Sequence, residues 1–241
     1  MPSGVIATVV LAAIPFEFTN GIPIPQFDIS VTLNNGESFT GRILFDSGAA
    51  LTLLINTPYN EKTKLSQKAG KSLISDFENL HNKSISKDIA IKSMNIGGYN
   101  LSEMVISIAN DKDGVISYED YLGILGGKVI SRFNLILDYS SSLLYLKPNN
   151  KFGESFEFPL NGIRLKKVDN SIIIDRIEKT SSAYKKGIRK RDKLISINND
   201  SSGDIENYRE LLRIEGEKVS LVINNLEGKT KKIKIKLIRL L

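Results

Sequence analysis

The 241-residue chain is 41% hydrophobic and 25% charged, the balance of a globular protein, and its length predicts two domains. It has no cysteine and a single histidine, His81, which removes thiol nucleophiles, disulfides, thiolate metal sites and any zinc site built from several histidines. The formal charge of +6 is uneven: residues 1–150 carry 12 Lys+Arg against 14 Asp+Glu and residues 151–241 carry 21 against 13, so a boundary is placed near Asn149-Asn150-Lys151, with domains over 1–150 and 151–241.

The first apolar stretch, Val5 to Ile14, is too short to span a bilayer and has no Lys or Arg before it. It continues into the alternating Pro15-Phe16-Glu17-Phe18, so it reads as a first β-strand and not as the core of a signal peptide. No membrane span is expected. From Ile14 to Ile55, β-branched and aromatic runs alternate with turn signals at Asn20-Gly21, Asn34-Asn35-Gly36 and Gly41. Residues 29–33 and 38–45 form a predicted hairpin whose second arm delivers Asp46 at its end. A lysine-rich segment over 60–70 reads as a short helix or a surface loop. Strands are then expected over 71–76, 84–94 and 101–108, with His81 on the connection between the first two.

Asp111, Asp113, Gly114 and Asp120 fall at ligand or turn positions of a calcium loop counted from Ala109. The first ligand is missing and the flanks read as strand and turn, so a solvated loop is expected and no metal. Without a Gly-x-Ser-x-Gly segment, and with His81 alone, a Ser-His-Asp triad is not expected. Carboxylate chemistry is what the composition leaves.

Ile43-Leu44-Phe45-Asp46-Ser47-Gly48-Ala49 places one ionisable group at the end of an apolar strand, where an unpaired carboxylate is costly. Asp-Ser-Gly is also an ordinary turn triplet, so on these residues alone a hairpin turn and a reactive group are both open. The segment resembles the motif of the retropepsin-like aspartic peptidases, two or three apolar residues followed by Asp-Thr/Ser-Gly-Ala. The resemblance extends to Ile124-Leu125-Gly126 and to the run Val129 to Tyr139, which is similar to the short helix and final strand of bacterial members. It covers roughly residues 14–148.

That resemblance implies a β-barrel of the acid-protease type and an aspartic endopeptidase acting on protein or peptide substrates without a cofactor. Asp46, Ser47 and Gly48 would be its catalytic segment, and Ala49, Ile124, Leu125 and Gly126 would lie beside the substrate. Two carboxylates must share the acid and base work, and only one such triplet is present, so a homodimer contributing Asp46 twice is expected. Asp138, in Leu137-Asp138-Tyr139-Ser140, looks like a structural residue. The flap is assigned by position to the hairpin 71–94, with its tip near Phe77 to Lys83.

Beyond residue 160 the order is strand, a helix opened by Ser181-Ser182-Ala183 and ended by Gly187, strand 194–197, a longer helix over 205–213, and two closing strands. The run Ser181 to Asn199 resembles the bacterial PDZ pattern, with Arg191 and Asn199 where glycines are usual. The resemblance implies a peptide groove lined by Asn161, Gly162, Ile163 and Leu165, taking a C-terminal peptide. A PDZ fold that only positions the first domain, or a catalytically silent scaffold acting through the PDZ domain, is the alternative. Lys232-Ile233-Lys234-Ile235-Lys236-Leu237 reads as a charge-guarded strand, so no nucleic-acid partner is expected, and Ile238 to Leu241 should finish it. The resemblance also implies a bacterial, extracytoplasmic protein.

Overall fold

The computed structural model describes residues 11–19, 21–78, 83–111 and 114–241. Residues 1–10, and His81 with the rest of the expected flap tip over 79–82, lie outside them, as do Lys112 and Asp113 of the aspartate-rich loop. The chain is mainly β and divides into two compact units, Met1–Glu157 and Phe158–Leu241.

In the first unit the strands are β1 (Ala12–Pro15), β2 (Gln26–Leu33), β3 (Ser38–Asp46) and β4 (Leu53–Ile55). Two short helices follow, α1 (Thr57–Thr63) and α2 (Leu65–Lys68), then β5 (Ser72–Glu78), β6 (Lys83–Ile96) and β7 (Tyr99–Ala109). The unit closes with β8 (Gly123–Gly126), α3 (Gly127–Ile130), β9 (Phe133–Asp138) and β10 (Leu143–Pro148). Seven strands form one sheet in the order β2-β3-β8-β4-β7-β6-β5, and β2 pairs again with β6, which curls the sheet into a barrel.

The β2–β3 hairpin follows from local chemistry. Gly36 sits at φ +91°, which a side chain would disfavour, and the Glu37 amide donates to Asn35 Oδ1 at 2.9 Å. The alternation along β2 puts Phe27, Ile29, Val31 and Leu33 into the core, where they meet Ile43, Ile89, Met94 and Ile106. The first strand pairs with neither arm of that hairpin. It joins β10, Ala12 opposite Leu146, in a separate three-stranded sheet β1-β10-β9. The segment 60–70, open between helix and loop in the sequence, is helical because Asn56 caps α1 by accepting the Tyr59 amide.

In the second unit β11 (Ile163–Val168), β12 (Ser171–Ile177), α4 (Ser182–Lys185), β13 (Lys193–Ile197), α5 (Ile205–Leu211), β14 (Lys218–Asn224) and β15 (Thr230–Lys236) follow in chain order. The sheet order is β11-β12-β13-β14-β15, wholly antiparallel. A separate core holds it, with Ile174, Ile188, Ile197, Tyr208, Leu221 and Ile223 all inaccessible to solvent. Ser181 caps α4 through the Tyr184 amide, and Asp204 caps α5 through the amides of Glu206 and Asn207. Residues 238–241 do not extend β15. Past it the chain turns toward the loop before β11, with the Leu240 amide donating to the Pro159 carbonyl at 2.9 Å.

Candidate functional site

Asp46 ends β3, which runs parallel to β8 with Asp46 opposite Gly126. Because β4 pairs antiparallel with the other edge of β8, the Ile124-Leu125-Gly126 segment is threaded between the strands on either side of the Asp46 turn. Asp46 Oδ1 accepts the amides of Gly48 at 2.9 Å and Ala49 at 3.2 Å, an arrangement that organises the turn. The turn is fastened to the other segment by the Gly127 amide donating to the Ala49 carbonyl at 2.8 Å and the Gly126 amide donating to Thr52 at 2.9 Å.

Ser47 and Gly48 are exposed and Ala49 half-buried. Leu125 is a core residue at 2% exposure, and Ile124 packs on a small cluster of Leu54, Ala109 and Ile116. Among the described residues no second carboxylate hydrogen-bonds to Asp46, so one chain offers a lone carboxylate here. A lone carboxylate acts as an acid or as a base but cannot do both at once.

Asp138 is unrelated to that turn. Its two oxygens accept the hydroxyls of Ser140 (2.6 Å) and Ser141 (2.7 Å) and the amides of both, and these bonds, the Ser140 hydroxyl first, hold its carboxyl down at about 2. No group of three or more His, Cys, Asp or Glu side chains suited to a metal ion is present among the described residues.

Two fastening residues escaped sequence reasoning. Asn56, fully buried, donates to the carbonyls of Tyr118 (2.6 Å) and Tyr121 while capping α1, and so ties the segment before β8 to the helix. Arg132, 7% exposed, donates to the carbonyls of Lys151 (2.9 Å), Phe152, Glu154 and Ser155 and stacks 3.6 Å over the Phe156 ring. A lone Asn and a lone Arg in irregular segments carry no periodic signal.

In the second unit the loop Leu160-Asn161-Gly162 leads into β11, which is an end strand of its sheet, and α5 packs against it. Leu165 is buried below the strand, with Ile163 and Ile205 half-buried at the margin of the same core. Asn161 is 6% exposed; its Nδ2 donates to the Leu212 carbonyl at 2.9 Å and its Oδ1 accepts the Ile163 amide at 2.8 Å. Arg209, on α5, donates to the Leu165 carbonyl at 3.3 Å and pairs with Glu206. The residues expected to line the groove, Asn161, Gly162, Ile163 and Leu165, lie at one end of an edge strand beside a helix, with the Asn161 and Leu165 side chains buried.

Residues 173–225, from β12 to just past β14, match the family model described as PDZ domain, and the second unit is a PDZ domain. No curated protein matches the chain significantly. Among solved structures, a variant of the HtrA-type protease AlgW with a decapeptide is 11% identical at a TM-score of 0.33, covering 94% of this chain and 63% of that one. The HtrA-type protease AlgW with a decapeptide gives the same values with 64% of its length covered, and AlgW with a tripeptide gives 10%, 0.30, 93% and 84%. The chain therefore spans under two thirds of the length of the first two.

These findings overturn the expected aspartic endopeptidase. The similar proteases are of the HtrA type, none of the three is aspartic, and the family match falls on the PDZ domain alone. At TM-scores of 0.30–0.33 the chemistry of those proteases is not carried to this chain either.

Proposed function

We propose that the protein binds extended peptides through its PDZ unit, in the groove between β11 and α5, with Asn161, Gly162, Ile163 and Leu165 at its loop end. One observation carries this reading: β11 is an end strand with a helix packed beside it. Strand addition supplies main-chain hydrogen bonds, and the apolar margin at Ile163 and Ile205 supplies a place for alternate side chains. Screening the full chain against a peptide library, followed by fluorescence anisotropy, should find micromolar binders. Ile163→Ser, a half-buried position, should weaken them about tenfold with an unchanged circular dichroism spectrum. A library without binders, or equal binding by the variant, would sink this function.

The placement of β8 between β3 and β4, parallel to one and antiparallel to the other, supports a retropepsin-like topology as a matter of fold. A homodimer is supported by β9, an end strand that presents Ile136 at 63% exposure. An extracytoplasmic location in a bacterium is part of the same proposal, and cell fractionation tests it.

A further inference from the structure

The loop and the edge strand together specify which peptides the groove takes, an inference that rests on the peptide-binding reading. A chain end bound at such a loop needs the loop's amides for its carboxylate. Here the Ile163 amide already donates to Asn161 Oδ1 at 2.8 Å, and the same side chain is anchored to α5 through the Leu212 carbonyl at 2.9 Å. Asn161 is 6% exposed, so a carboxylate that took the amide would leave a buried carboxamide oxygen unpaired. The Ile163 amide of this loop is thus already committed to an acceptor within the loop.

The strand itself is basic. Lys166, Lys167 and Val168 are exposed, and the alternation of a strand puts Lys167 on the same face as Leu165 and Lys166 on the other. Arg164 is neutralised by Asp175 and Arg209 by Glu206. Among the described residues neither Lys166 nor Lys167 has an acidic partner. The whole unit, 158–241, holds 20 Lys+Arg against 11 Asp+Glu, so its field favours anionic partners. The opposite edge, β15, is also lysine-rich and has α4 beside it, but its apolar residues Ile233 and Ile235 are buried, whereas Ile163 and Ile205 form a half-buried apolar margin at β11.

We propose that the segment captured at β11 is an internal, acidic, extended stretch of a protein and not a free chain end. Lys166 and Lys167 recognise its carboxylates, and the outer edge of β11 pairs with its backbone.

The test uses the full chain and fluorescein-labelled ten-residue peptides with one apolar pattern. They compare acidic sequences with free and with amidated C-termini, a neutral sequence, a basic one, and the acidic sequence N-methylated at alternate amides. The two acidic peptides should bind within twofold of each other. The neutral, basic and N-methylated peptides should bind at least tenfold more weakly. Lys166→Glu/Lys167→Glu should lose at least tenfold for the acidic peptide, whereas Lys232→Glu/Lys234→Glu on β15 should lose less than threefold. Loss of binding on amidation, or equal binding of the neutral peptide, overturns the inference while leaving peptide binding intact. Equal binding of the N-methylated peptide shows mere charge attraction and overturns strand addition. No binding by any peptide overturns this inference and the peptide-binding reading together.

Discussion

Arg191 and Asn199 stand where glycines are usual in the PDZ pattern, and the structure shows the cost. Arg191 sits at φ +72° and Asn199 at +70°, both in the left-handed region. Asn tolerates that region, whereas a longer side chain pays roughly 1–2 kcal/mol there. The Arg191 amide donates to the Ile174 carbonyl at 2.7 Å, and so the conformation is held by the tie between the α4–β13 turn and β12. Arg191→Gly keeps that bond and relieves the strain, at the expense of a more flexible unfolded chain. A net stabilisation of about 0.5–1 kcal/mol is expected, read as a higher urea midpoint with an unchanged slope. Arg191→Ala, which keeps the Cβ, should leave the midpoint almost where it is. Tyr121 carries a different burden at the same scale: its buried hydroxyl has no hydrogen-bond partner among the described residues, and burial pushes its pKa far up.

Among the elements, β8 is the one whose sequence and neighbours are most tightly bound together. A Cβ on Gly126 would stand 2.3 Å from the Leu51 carbonyl oxygen and 2.8 Å from that of Ala49, and one on Gly123 2.0 Å from the Leu54 carbonyl oxygen. These are backbone atoms of the strands and turn that grip β8, so nothing flexible can yield. Gly126→Ala is expected to cost about 3 kcal/mol or more, by forcing β8 away from β4 and from the Asp46 turn. Thermal unfolding of the purified variant measures it, and a loss below about 1 kcal/mol would show that the turn over Ala49 to Leu51 moves freely. The conspicuous Ile-Leu-Gly segment thus has a packing role that holds whatever the turn does. The β2–β3 hairpin was legible in the sequence because its turn chemistry is local. The pairing of β1 with β10 was not, since partners about 130 positions apart leave no local pattern.

For the whole molecule, each unit has a core of its own, and each presents an edge strand. In the first, β9 offers Ile136, and Tyr139 follows it at 59% exposure in a stacked pair with Phe18. Exposed apolar side chains on an end strand are where the proposed second copy would pair. If a second copy covers it, sedimentation at micromolar concentration should show a dimer, and Ile136→Lys should shift the equilibrium toward monomer at least tenfold. A wild-type monomer at a concentration of about 100 µM, which corresponds to an association free energy weaker than about −5.5 kcal/mol, would remove the homodimer from the proposal. The peptide reading of the second unit does not depend on that outcome.

The sequence by itself determined a mainly β chain, a PDZ pattern beyond residue 160, and an Asp46 turn at the end of a strand, because alternation, caps and turn residues act over a few positions. It also pointed to a paired-carboxylate enzyme, and there it went wrong, since a short motif says where a carboxylate sits and not what meets it. Only the tertiary structure decided that Leu125 is core, that Arg132 clasps residues 151–155, and that Asn161 closes on the Ile163 amide. Each of these depends on groups brought together from distant or irregular stretches, where burial and unpaired polar atoms select the partner and periodicity is silent.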